Sequence, residues 1–339
     1  MDQPIKKKLH RYASFTQCDP TDRPIVGCTV ENIILSQDYA ENNDGNTVGS
    51  GGQTETTQDP LGLPEDNHSD RGACAEIKPA DINPEHYERS YERLFEIHRT
   101  IDSDSIWVAS PLPSFPWMEA VFGCTISCSD YEFWATAPED SEDVLSSLHV
   151  STEWIECFLR FSEYLSRLSK NRFPVGLPIF RGALDVLLSV RGYTTGLMDT
   201  VDKPERVEAF CQLYVDTVTE MLKRYYSIVS DYFGGHSIGP FHLWSPGKCI
   251  RVQQDAGALI SEQQYHRQIM PYDAKLCSLY PDSLFHLHST YLHILPSILE
   301  IEALKIVQVG IDIDGPPVSR IVDTLKEIQD SKLLIYTPE

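Results

Sequence analysis

The chain has 339 residues, 41% hydrophobic and 23% charged, an ordinary composition for a globular protein with a sizeable core. Its formal net charge of −22 argues against nucleic acid and anionic membranes as partners, because a field of that sign repels both. The nine cysteines include no CxxC pair, which argues against a zinc ribbon or thioredoxin motif and favours free thiols in a reducing, cytoplasmic compartment.

The N-terminal part combines a short helix, a strand and a polar stretch. Residues 1–21 are predicted to hold a basic helix, from Lys6 to Gln17, ahead of the main domain at 22–339. The branched residues of Ile25 to Val30 predict a buried strand. Residues 42–74 have too little apolar surface to offset the entropy of ordering, which predicts a flexible insert. No apolar run predicts a signal peptide or a membrane span.

Helical and strand patterns alternate through the rest of the chain. The predicted strands are Ser105–Ser110, Phe173–Phe180, His236–Trp244, Ser283–His288, Ile306–Ile311 and Lys332–Thr337, with a hairpin over Thr125–Ala135. The predicted helices are Asn83–Arg99, Thr152–Lys170, Gly182–Val190, one opened by a capping box of Asp202 and Glu205, one opened by Ser261 and Gln264 and kinked at Pro271, Leu292–Leu304, and one begun by Pro316 and Pro317. This alternation indicates one large α/β domain with parallel strands.

The strand count bears on the architecture. Counting the strand at Ile25–Val30 and leaving out the hairpin, the pattern gives seven strands. A closed (β/α) barrel needs eight. We therefore expect a TIM-type (β/α) barrel that lacks its eighth βα unit, being open, closed by another segment, or truncated after the seventh strand. A doubly wound open sheet is the rival, although no GxGxxG or GxxxxGKT follows a strand to support a nucleotide-binding version.

Several segments resemble the uroporphyrinogen decarboxylase family, which also includes corrinoid methyltransferases and is related to cobalamin-independent methionine synthase. They are DRPIVG, WMEAVFGC, PVGLPIFRGALDVLLSVRG, DKPERVEAF, ISEQQYHRQIMPYDAKL and FHLHST. The resemblance implies a barrel with its site at the mouth and a tetrapyrrole or other carboxylated ligand. The decarboxylase pattern is broken in three places: ENIILSQDYA lacks the arginine, Ser110-Pro111 replaces an aspartate, and RGALDVLLSV lacks a tyrosine.

A metal site is the second interpretation of the same resemblance. The methyltransferase branch binds zinc through a His-x-Cys on the fifth strand, where this chain has His286-Leu-His288. Two residues apart on a strand, both imidazoles point to one face and could chelate zinc, with Asp312 or Asp314 of the next strand as the third ligand. The alternative is a pair of hydrogen-bonded histidines in a polar barrel mouth, with the two aspartates in a turn before a helix.

Other polar residues follow predicted strands, where a barrel carries its chemistry. Arg181, Lys248 and Arg251 are candidates for holding a substrate anion, and Trp244 could offer a flat wall to the ligand. Asp255, Glu119 and Asp312 are candidate catalytic carboxylates. Each has a structural alternative, such as a surface salt bridge, a helix first turn or a core tryptophan.

Three functional hypotheses therefore stand at this point. The first is a uroporphyrinogen decarboxylase-like enzyme, and the second a zinc-dependent methyltransferase. The third is a catalytically inactive or truncated family member. For either enzyme we expect a small-molecule substrate, tetrapyrrole-like or a methyl donor, and a homodimer is a candidate assembly.

Overall fold

A computed structural model of the protein describes residues 3–21, 24–27, 76–129, 132–138 and 150–338, so the insert predicted at 42–74 lies outside the described residues. The helices are α1 (Gln3–Thr16), α2 (Glu88–Thr100), α3 (Trp117–Val121), α4 (Thr152–Ser169), α5 (Ala183–Arg191), α6 (Tyr193–Asp202), α7 (Pro204–Ile228), α8 (Glu262–Gln264), α9 (Met270–Cys277), α10 (Leu295–Leu299) and α11 (Val318–Ser331). The strands are β1 (Glu76–Ile77), β2 (Thr125–Ser129), β3 (Glu132–Thr136), β4 (Gly176–Leu177), β5 (His236–Ile238), β6 (Leu243–Ser245), β7 (Cys249–Gln253), β8 (Asp282–His288), β9 (Ile306–Ile311) and β10 (Leu333–Pro338).

Three sheets are present among these strands. β1, β2 and β3 are antiparallel, so the hairpin predicted at Thr125–Ala135 is confirmed. β4 pairs in parallel with β5. Of the strand predicted at Ser105–Ser110, only Ala109 pairs, through an isolated parallel bridge to Val175 just before β4. β7 to β10 form a parallel sheet in the order β10-β9-β8-β7. The chain is thus a mixed α/β protein with a parallel sheet, as the alternating patterns predict.

The region before β8 differs from the prediction. Cys249–Gln253, which is not among the predicted strands, is β7, paired in parallel with β8. The predicted single strand at His236–Trp244 is instead two antiparallel strands, β5 and β6. The expectation of a missing eighth unit therefore depended on a strand count that left out β7.

Helix α1 packs across the ends at which the parallel strands begin. Its Leu9 and Tyr12 belong to a second core cluster with Leu284 and Ile306, which lie near the starts of β8 and β9. The Tyr12 hydroxyl donates to the His242 carbonyl oxygen at 3.2 Å. The opposite, carboxyl ends of the strands are consequently the ends left for a site.

The larger core lies between the helices and the sheets. Its largest fully buried side chains are Trp117, Tyr87, Tyr91, Tyr225, Tyr265, Phe115, Phe122, Phe158, Phe161, Phe173 and Phe285. The long helix α7 contributes Val207, Phe210, Tyr214, Val218 and Met221 to this core, the face that its 3.6-residue period predicts. None of the helices in the described part of the chain combines the length and apolar character needed to span a bilayer.

Several local predictions are tested by the helix ends. The capping box of Ser261 and Gln264 is present. Asp202 ends α6 instead of capping α7, which begins at Pro204 without a side-chain cap. A π-helical turn at Tyr265–Ile269 precedes Pro271, whose missing N–H prevents a regular turn there. Of the predicted first strand, residues 25–27 are not in a strand, and residues 28–30 lie outside the described part.

Candidate metal and substrate site

Three polar side chains form a row across the parallel sheet. The strand register places Gln253 of β7 beside His286 of β8, and His286 beside Gln308 of β9. All three are buried. Apolar Ile250, Val252, Phe285 and Val307 alternate with them and pack in the main core. This alternation directs the row into the interior of the fold, near the carboxyl ends of the strands.

The two histidines predicted as ligands face each other. The His286 and His288 Nε2 atoms are 3.0 Å apart. His288 Nδ1 lies 2.6 Å from Asp312 Oδ1, an oxygen that can only accept, so Nδ1 carries the proton. The Gln308 amide donates to Thr337 Oγ1 at 2.7 Å, which turns its Oε1 toward His286 Nδ1. In the neutral rings both Nε2 atoms therefore present lone pairs to one point.

A third acceptor converges on the same point. Asp255 Oδ1 lies 3.9 Å from His288 Nε2, and one donor atom from each of Asp255, His286 and His288 lies within 4.8 Å of the others. Burial and the neighbouring Arg251 guanidinium lower the pKa of His286 to about 3, so this ring is neutral at physiological pH. A proton shared between the two Nε2 atoms would satisfy both nitrogens, whereas a divalent cation would coordinate the two nitrogens and the carboxylate oxygen together.

These donors fit zinc. Tetrahedral zinc with bonds of about 2.0–2.1 Å has ligand atoms about 3.3–3.4 Å apart, between the two distances observed here. Outer hydrogen bonds from Nδ1 of both rings fix the tautomer that leaves Nε2 for the metal. Three protein donors beside an open cavity also leave a fourth position for a substrate atom.

A cavity of about 830 Å³ opens above this cluster. Its lining includes Arg181, Arg251, Gln253, Asp255, His286 and His288, together with aromatic side chains from Phe115, Phe133, Trp134, Tyr193 and Phe241. The Arg251 guanidinium lies 5.3 Å from the centre of the Phe241 ring and donates to Gln253 Oε1. The cavity thus combines cationic groups, flat apolar walls and the acceptor cluster.

Glu119 lies behind Arg181 and is fully buried in α3. Among the described residues neither of its carboxylate oxygens has a hydrogen-bond partner, and Arg181 Nη1, 3.5 Å from Oε1, is its ion-pair partner. Burial raises the pKa of Glu119, while the Arg181 charge opposes that rise. Glu119 is not part of the cavity lining, so its contact with the cavity runs through Arg181.

The structure brings together six of the ten residues singled out in the sequence. Arg181, Arg251, Asp255, His286 and His288 line the cavity, and Asp312 bonds to His288 from behind. Hydrogen bonds from Ser289 Oγ and from the Thr290 and His288 nitrogens outweigh the effect of burial and lower the pKa of Asp312. Asp312 therefore orients a candidate ligand and is not itself one of the three converging donors.

The other predicted residues lie elsewhere. Trp244 is on β6, buried in the second cluster, with its indole donating to the Tyr232 carbonyl oxygen at 2.8 Å. Lys248 precedes β7, at the end of the strands opposite the cavity, and its Nζ lies 5.3 Å from the centre of the Tyr226 ring. Asp314 is exposed after β9. Among the described residues, Asp255 and not Asp314 is the third donor that converges with the two histidines.

Three residues next to the candidate ligands are not among those predicted from the sequence. Gln253 and Gln308 are polar residues inside strands, a signal that alternation around CIRVQ and IVQVG could have given. Tyr291 donates to Asp255 Oδ1 at 3.0 Å. It follows β8 in the 3₁₀ turn Ser289–Ile294, and no spacing rule marks it.

Comparison with known proteins finds a solved structure of similar fold. No protein-family model and no curated protein sequence matches the chain. A solved structure, a methyltransferase from Methanosarcina mazei, superposes with a TM-score of 0.57 at 11% sequence identity and covers 97% of this chain and 91% of that one. The likeness establishes a shared fold along nearly the whole length.

Proposed function

We propose that this protein is a metal-dependent methyltransferase, with a zinc ion held by Asp255, His286 and His288 at the mouth of a (β/α) barrel. One observation carries the proposal: one donor atom from each of two imidazoles and a carboxylate converge beside the cavity, at spacings that suit a tetrahedral metal ion. The methyltransferase of similar fold supports the choice of reaction. When bound, zinc would lower the pKa of a coordinating thiol, giving a sulfur nucleophile at neutral pH.

In the proposed reaction a small-molecule thiol accepts a methyl group. The sulfur–carbon bond forms as the bond between the methyl carbon and its donor breaks, and the thiol proton is released to solvent. Gln308 and Asp312 keep the two imidazoles in the tautomers that leave Nε2 available. Arg181 and Arg251 line the cavity beside them and would hold an anionic group of the substrate, which orients its reacting end.

Metal analysis tests the proposal directly. Protein purified without chelator is expected to carry about one equivalent of metal, with zinc preferred, by mass spectrometry of the dissolved sample. His288→Ala should abolish that occupancy. His293→Ala is the matched control, because its Nε2 lies 2.9 Å from the Ile260 carbonyl oxygen and it is not one of the three donors. The proposal is refuted if wild-type protein takes up no stoichiometric metal, even after zinc is added.

A second candidate is a uroporphyrinogen decarboxylase-like lyase acting on a tetrapyrrole or another carboxylated ligand. The observation that favours it is the pairing of Arg181 and Arg251 with aromatic walls in a cavity of about 830 Å³. Incubating the protein with uroporphyrinogen and looking for coproporphyrinogen tests this reading. If neither this product nor a bound metal is found, a catalytically inactive family member is left.

A further inference from the structure

One buried carboxylate holds two separate walls of the cavity together. Asp185, three residues into α5, is almost fully buried. Its Oδ2 accepts hydrogen bonds from the backbone N–H groups of Gly182, at 2.9 Å, and Asp255, at 3.2 Å. Its Oδ1 accepts from the N–H of Ala256 at 2.6 Å. The segment after β4 is thereby joined to the segment after β7.

The two segments also touch through their backbones. A Cβ atom added to Gly182 would lie 1.9 Å from the Gln253 carbonyl oxygen, so no larger residue fits between them. Leu184 N donates to Gln254 Oε1 at 3.1 Å across the same junction. The side chains on either side of this junction are Arg181 and Asp255, and both line the cavity.

We propose that Asp185 is a positioning residue that sets Asp255 against Arg181 across the cavity. This inference rests on the proposed metal site, because Asp255 is its third donor. Asp185 is not part of the cavity lining, and its hydrogen bonds to both walls are made to backbone amides. Without Asp185, the Asp255 carboxylate would move away from the two imidazoles. The backbone next to Arg181 would also no longer be held in place.

A capping role alone would be the simpler explanation. Asp185 does accept a hydrogen bond from the Gly182 N–H, which stabilises the first turn of α5. The bonds to Asp255 and Ala256 lie outside that helix, about 70 residues along the chain, and a capping role does not require them. The two roles therefore predict different results for the metal and for these two amides.

The experiment compares Asp185→Asn with Asp199→Asn. Both aspartates are buried in helices, but Asp199 pairs with Arg191 and has no contact with the metal cluster. Binding of Co²⁺, followed by its visible absorption, should weaken about 10–100-fold in Asp185→Asn and stay within about twofold in Asp199→Asn. Asp185→Glu should recover part of the affinity. Equal affinities in Asp185→Asn and the wild type would overturn the inference.

Hydrogen exchange separates this inference from the proposed function. In metal-free protein, the amides of Asp255 and Ala256 should exchange at least tenfold faster in Asp185→Asn than in the wild type and unchanged in Asp199→Asn. If the wild type binds no Co²⁺, the metal proposal fails. The exchange rates would still show whether Asp185 joins the segment after β4 to the segment after β7. If Asp185→Asn does not fold, fast exchange of both amides in the wild type would by itself refute the inference that Asp185 holds these two segments together.

Discussion

The hydroxyl of Tyr291 donates to Asp255 Oδ1, the oxygen that faces His288 Nε2. Burial and the Asp255 charge raise the pKa of this phenol, so it remains a donor throughout the physiological pH range. The bond fixes the carboxylate that serves as third donor. Tyr291→Phe should therefore weaken zinc binding by about tenfold, the size of effect typical of an outer hydrogen bond to a metal ligand.

Competition with a chromogenic zinc chelator measures this change. Tyr164→Phe is the control, because Tyr164 donates to Glu88, the first residue of α2, and neither is among the three converging donors. It should leave the zinc affinity unchanged. Equal zinc affinities for Tyr291→Phe and the wild type would mean that Asp255 does not bind the metal through Oδ1.

Two aspartates two residues apart distinguish an orienting role from a ligand role. Asp312 bonds to His288 Nδ1, whereas Asp314 is exposed. Asp312→Asn should lower zinc affinity about 10–100-fold, because an amide is a weaker acceptor for the imidazole N–H. Asp314→Asn should leave zinc affinity unchanged. The reverse order in the same titration would restore Asp314 as the third ligand.

Much of the β8 part of the site follows from local sequence. The spacing of His286 and His288 places both on one face of a strand, and the Asp312 segment follows the neighbouring strand. Both features depend on strand period and on parallel order, which the alternating pattern predicts. Arg181 lines the cavity for the same reason, since it follows β4.

The rest depends on information that no short segment contains. The sequence shows Gln308 as one polar residue in an apolar strand, and only the register opposite His286 gives it a role. Trp244 and Lys248 are predicted at the cavity because the sequence pattern merges β5 and β6 into one strand ending at Trp244 and does not reveal β7. As a result, Lys248 is predicted at the cavity end of the strands, whereas it lies at the opposite end.

Stability should depend on pH through Asp273, which is buried in α9. It accepts from the Gln254 amide at 2.7 Å and from the Tyr265 hydroxyl at 2.9 Å, yet burial raises its pKa to about 7. In the unfolded chain the value is about 3.9, so between these pH values the folded state binds the extra proton. The Asp273 contribution to stability is therefore complete below about pH 4 and falls as pH rises to about 7.

Denaturant unfolding of Asp273→Asn at several pH values measures this. Relative to the wild type, the variant should gain stability between pH 4 and 7, by at most about 1.4 kcal/mol per pH unit. Asp216→Asn, at an exposed position on α7, should show no such trend. A constant difference between Asp273→Asn and the wild type across this range would show that Asp273 is ionised in the folded protein.

Helix α1 should contribute strongly to stability through one buried ion pair. Arg11 Nη1 lies 2.5 Å from Asp104 Oδ1, and the two side chains are only 6% and 7% exposed. Asp104 Oδ2 also accepts from the Val26 N–H at 3.0 Å. Arg11→Ala would take the guanidinium away from a buried carboxylate, which should lower the free energy of unfolding by about 3–5 kcal/mol.

The same measurement on an exposed pair provides the comparison. Arg99 and Glu96 are 61% and 59% exposed on α2, so Arg99→Ala should cost less than about 1 kcal/mol. Replacing both Arg11 and Asp104 by alanine should cost less than the sum of the two single changes, because the double variant leaves no buried charge behind. Additive costs would mean that the two side chains are not coupled and that other contacts of α1, such as those of Leu9 with the starts of the strands, hold the helix.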